Sequence, residues 1–76
     1  MDFGKFEQRV LEELDRNDGR TEVEVSEWDY YPALGASYSA VRKYNHGRED
    51  IGYVVPTRIG DNKFRLKIYS KAEEQD

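Results

Sequence analysis

A chain of 76 residues with a formal net charge of −4, one histidine and no cysteine is bounded before any motif is read. At this length it forms one domain with a small core, hiding only about 60% of the surface its unfolded form exposes, and it has little room for a buried catalytic pocket. The missing cysteines exclude a disulfide framework, a thiol nucleophile and a cysteine metal site. No apolar run approaches the roughly 20 residues needed to cross a bilayer and the N-terminus lacks a signal pattern, so a soluble, cytoplasmic protein is expected.

Phe3, Phe6, Val10, Leu11 and Leu14 recur at spacings of three, four and seven. They predict a helix with one apolar stripe and with Lys5, Glu7, Gln8, Arg9, Glu12, Glu13 and Asp15 on its other faces. Asp2 caps its start, and Asn17-Asp18-Gly19 tolerates the left-handed turn that ends it near Arg16. Thr21 to Val25 alternates, with Thr21, Val23 and Val25 on one side and Glu22 and Glu24 on the other, which predicts a short half-buried strand. Ser26, with Asp29 three residues on, opens a second helix at Glu27. Pro32 limits it to about a single turn, because a proline beyond the first turn removes a hydrogen bond and disfavours the helical state at Tyr31.

Trp28, Tyr30 and Tyr31 form the densest aromatic cluster; most of it belongs in so small a core, with one of the adjacent tyrosines facing out. Ala33-Leu34-Gly35-Ala36-Ser37 reads as a connection, and Ser37 as the cap of a third helix running to Tyr44 and closed by Asn45-His46-Gly47. Two strands follow, Ile51 to Ile59 and Lys63 to Tyr69, joined through Gly60-Asp61-Asn62. The expected fold is α+β, one domain over residues 1–71 in the order helix, strand, helix, helix, hairpin, with a disordered acidic tail over 72–76.

Charge is unevenly distributed along this order. Residues 1–40 hold ten acids against four bases, whereas residues 41–71 hold eight Lys or Arg against three acids, a local charge of +5. With Asp61-Asn62 as a two-residue turn, Ile59 faces Phe64, Arg58 faces Arg65, Thr57 faces Leu66 and Pro56 faces Lys67. Ile51, Tyr53, Val55, Thr57, Ile59, Phe64, Leu66 and Ile68 then share one face, and Val54, Arg58, Arg65, Lys67 and Tyr69 the other. Opposed Arg58 and Arg65 repel by a few tenths of a kcal/mol, which an anion such as a phosphate backbone would relieve. The plainer reading is that these cations guard an exposed strand against aggregation.

From Glu27 to Tyr44, the apolar positions Tyr30, Leu34, Ala36, Val41 and Tyr44 flank Gly35 at spacings that resemble a helix-turn-helix. With the preceding helix and strand and the following hairpin, residues 3 to 69 resemble a winged helix-turn-helix domain. The resemblance implies that the helix Ser37 to Tyr44 enters the major groove of double-stranded DNA, with Ser37, Tyr38, Ser39, Arg42 and Lys43 as candidate contacts. His46 would touch phosphate, and Arg58, Lys63, Arg65 and Lys67 would form a wing on the backbone. The bland alternative makes Val41 and Tyr44 core, Ser37 a cap, and Arg42 and Lys43 a solvated face.

Enzymatic readings find little in the residues. His46 stands in a polar loop with Glu49 and Asp50, short of a convergent metal site; no phosphate cradle or nucleophile elbow is present, and the acids are not paired. No catalysis, cofactor, metal, membrane or small-molecule substrate is expected. The leading expectation is a DNA-binding transcriptional regulator or excisionase-like factor of viral or archaeal type, working as a dimer or on tandem sites. The alternative is a protein-binding module, a small phage-type inhibitor or adaptor that docks a partner through the acidic face and the surplus of tyrosines.

Overall fold

A computed structural model describes residues 1–46 and 52–71. The fold is α+β: two α-helices lie on one face of a three-stranded antiparallel sheet. Helix α1 (Phe3–Arg16) begins where the Asp2 carboxylate accepts the Lys5 amide at 3.1 Å. It buries Phe6, Val10 and Leu14, one residue from each successive turn. It ends in a Schellman turn, with Asp18 and Gly19 both left-handed (φ 60° and 89°) and the Gly19 amide donating to the Leu14 carbonyl at 2.7 Å. A side chain on Gly19 would also run into Ser70 Oγ. Strand β1 (Arg20–Ser26) then carries Val23 and Val25 into the core.

The expected helix-turn-helix is replaced by one continuous helix. Glu27–Asp29 form a single 3-10 turn, and α2 runs without a break from Tyr30 to Tyr44. Pro32 does not end a helix, because α2 starts at Tyr30 and Pro32 falls in its first turn, where a backbone N–H has no intrahelical partner to lose. Ser37 is no cap either: it is fully buried and its hydroxyl donates to the Ala33 carbonyl one turn back at 2.8 Å. The small side chains Ala33, Ser37 and Ala40 are all buried on α2, so α1 and α2 pack closely in the shared core.

Strand β2 (Tyr53–Gly60) and strand β3 (Lys63–Tyr69) form the expected hairpin, and β3 is the central strand in the order β1-β3-β2. The expected start at Ile51 and the acidic tail lie outside the described residues. Gly60 pairs with Lys63 as the two-residue turn requires, but a bulge between Arg58 and Gly60 shifts the ladder by one residue beyond it. Arg58 therefore faces Phe64, Thr57 faces Arg65, Pro56 faces Leu66 and Val54 faces Ile68. The shift corrects the expected sorting on β2: Val54 is in the core, and Tyr53, Val55 and Thr57 lie on the outer face. The expected opposition of Arg58 and Arg65 does not exist. The core is Phe6, Val10 and Leu14 from α1, Ala33, Ala40 and Val41 from α2, and Val23, Val25, Val54, Leu66 and Ile68 from the sheet.

Candidate interaction surface

The residues expected to grip DNA are not brought together. Phe64, Leu66 and Ile68 of β3 face the helices, so Lys63, Arg65 and Lys67 project from the opposite side of the sheet. Helix α2 and these three of the four expected wing cations therefore lie on opposite sides of the sheet. On that outer face Glu22 and Glu24 of β1 stand across from Lys67 and Arg65. Arg65 pairs with Glu22 at 3.6 Å and with Glu24 at 3.4 Å, and Lys63 reaches Glu24 at 3.6 Å. Arg58 lies on the inner side with its guanidinium 5.1 Å from the Phe64 ring centre, and it donates to the Asp61 carbonyl at 2.7 Å.

On α2, Ser39 and Lys43 are turned toward α1. Both oxygens of Glu7 accept from them: Lys43 Nζ at 2.8 Å and the Ser39 hydroxyl in a short hydrogen bond. These contacts, Lys43 first, hold the Glu7 carboxyl below its ordinary pKa of 4.5. The same holds on the next turns of α1, where Glu13 is lowered chiefly by the Thr21 hydroxyl at 2.6 Å and further by Arg9. Ser37 is buried, and the Tyr38 hydroxyl accepts the Val54 amide at 3.4 Å. Arg42 and His46 are exposed, and Arg42 has no ion pair among the described residues. Among the described residues no three His, Cys, Asp or Glu side chains gather to hold a metal, and no helix is long and apolar enough to cross a membrane.

What the fold does assemble is an aromatic stripe. Trp28, in the 3-10 turn, is 80% exposed, and Tyr31, one turn later, is 79% exposed. Tyr38, two turns farther along α2, is 45% exposed. Tyr31, Gly35 and Tyr38 are spaced i, i+4, i+7 and so share one face of the helix, which Arg42 continues. Tyr30 alone of the aromatic cluster packs inward, its ring 4.5 Å from Phe64, and it braces Tyr31 edge-on with ring centres 5.0 Å apart. The expectation that Trp28 belongs to the core is thus overturned. Its flanks carried the signal, since Glu27 and Asp29 on either side of a lone Trp suit a solvent-facing turn better than a buried one.

No family model matches this chain, and comparison with curated proteins and with solved structures returned no match.

Proposed function

We propose that this chain is a protein-binding module that docks a partner through Trp28, Tyr31 and Tyr38. The observation that carries this reading is the exposure of Trp28 and Tyr31 at 80% and 79%, in a domain whose other aromatic rings, Tyr38 apart, are buried or half-buried. Two such rings offer about 150–250 Å² of contact each, and Trp and Tyr are the side chains that most often dominate binding energy at protein interfaces. Both are anchored by a regular element: Tyr31 by its first-turn position and its contact with Tyr30, and Trp28 by the Glu27 amide, which donates to the Asn62 carbonyl at 2.9 Å.

Duplex DNA is the competing partner, and the geometry supports it less. Three of its expected cations, Lys43, Lys63 and Arg65, are already paired with carboxylates. The helix that would enter the groove has its expected leading residue, Ser37, buried. The net charge of −4 opposes non-specific attraction to phosphate.

The two readings separate with one immobilised domain, a Trp28→Ser/Tyr31→Ser double variant, and an Arg42→Glu/Arg58→Glu double variant. Extract from the source cells and mixed duplex DNA at two salt concentrations are passed over each. The module reading expects proteins retained by the wild type and by the charge variant but not by the aromatic variant. Salt-sensitive retention of DNA that is lost only in the charge variant overturns it.

A further inference from the structure

We propose that the occupant of the aromatic stripe is a proline-rich segment in the polyproline II conformation, with an Arg or Lys beside its prolines at the Trp28 end. This rests on the protein-binding reading above and names the chemistry of the partner.

The spacing is the first support. Tyr31 and Tyr38 are seven residues apart on one helix, about 10.5 Å at 1.5 Å per residue. A polyproline II helix repeats every three residues, about 9.3 Å at 3.1 Å per residue, so prolines on one of its edges recur at nearly the same interval. Between the two tyrosines stands Gly35, and apart from its chain neighbours and the helix's own backbone no atom lies within 4 Å of the place where a Cβ would be. The stripe is therefore ring, notch, ring, and a proline ring seats in such a notch while the tyrosines flank it.

Hydrogen bonding is the second. Among the described residues, neither the Trp28 indole N–H nor the Tyr31 hydroxyl has a partner. Both are donors at the edge of an exposed ring. A partner helix offers few acceptors there, because its carbonyls are used by its own backbone. Every carbonyl of a polyproline II segment is free, since that conformation has no internal hydrogen bonds.

Charge sets the direction. Glu27 and Asp29 flank Trp28, whereas Arg42 continues the stripe beyond Tyr38. A basic residue on the segment is attracted to the Trp28 end and repelled from the other, so the two chain directions of the segment are not equivalent.

The test uses Trp28, the only tryptophan in the chain, as its own reporter. Emission is titrated with a synthetic nine-residue peptide carrying one Arg followed by prolines at every third position. It is repeated with prolines replaced by alanine, with Arg replaced by Glu, and with an amphipathic helical peptide of equal charge. The expected result is a saturable change with the first peptide and at least tenfold weaker binding of the other three. Gly35→Leu, whose Cβ enters open space and whose side chain extends into the notch, is expected to weaken the first peptide at least tenfold while the melting temperature does not fall. Equal binding of the alanine or helical peptide overturns the proposal, as does a Gly35→Leu variant that binds like the wild type. If no peptide binds while proteins from extract are still retained through Trp28 and Tyr31, the polyproline occupant fails and the module stands. If extract retention is also absent, both fail.

Discussion

Glu7 ties the two helices together from a single side chain. Its oxygens accept from Ser39 and Lys43 of α2, and its side chain is 19% exposed against 61% for Lys43. Removing it in Glu7→Ala is expected to cost about 1 kcal/mol, the scale of a partly exposed charge-assisted pair, read from urea unfolding. The pH dependence follows from the same contacts. The carboxyls of Glu7 and Glu13 are held below 4.5 in the folded state, so each contributes stability that is fully present above the unfolded value and lost as pH falls through the folded one. The melting temperature should hold between neutrality and about pH 5, then fall below pH 4.5; Glu7→Gln should make that fall shallower, and an unchanged slope would count against the pairing. Gly35 has the opposite character. It lies inside a helix with open space around it, so Gly35→Ala is expected to stabilise by about 0.5–1 kcal/mol through helix propensity alone. From the sequence alone Gly35 fits a turn, because a glycine among small residues after a proline carries no signal that a helix continues through it.

At the scale of elements, β1, α1 and the hairpin turn were legible because each carries its own local signal: alternation, a 3.6-residue stripe and end signals, and Asp-Asn between two apolar runs. Two features were not. The start of α2 depends on whether residues 27–29 wind as 3-10 or α, and three residues of difference decide whether Pro32 breaks the helix or opens it. The bulge at Ile59 is equally silent, since Arg58-Ile59-Gly60 alternates as well in one register as in the next, and only the packing of Val54 against the helices selects the face. The same choice shapes the outer edge of β2. The Val54 amide points away from β3 to the Tyr38 hydroxyl, and Pro56, two residues on and facing the same way, has no amide to offer. Neither position therefore offers a free amide to an added strand. Tyr38→Phe removes the acceptor, and faster hydrogen exchange at the Val54 amide with a loss of about 0.5–1.5 kcal/mol is expected. An exchange rate that does not change would show that water serves that amide equally well.

Across the whole molecule, the sheet separates two populations of side chains that the sequence lays side by side. Lys63, Arg65 and Lys67 alternate with Phe64, Leu66 and Ile68, so a stretch that counts as +5 along the chain is divided between opposite faces, and its outer part meets Glu22 and Glu24. Charge counted along a chain does not give a charged surface; the partner strand decides. The aromatic stripe is the reverse case, assembled by consecutive turns and visible in the sequence once α2 is known to be continuous. If the stripe is a surface for binding, its rings carry little of the fold. Trp28→Ser/Tyr31→Ser is therefore expected to cost no more than about 1.5 kcal/mol, the scale of the edge-on Tyr30–Tyr31 contact that it removes. Leu14→Ala, fully buried between α1 and the sheet, should cost about 2–5 kcal/mol, a large part of the 5–15 kcal/mol that holds a small domain together. Denaturant midpoints of the two variants test the division directly. A midpoint that collapses for the aromatic variant would return Trp28 and Tyr31 to the core and remove the basis of the docking surface, whereas a collapse confined to Leu14→Ala leaves both rings free to meet a partner.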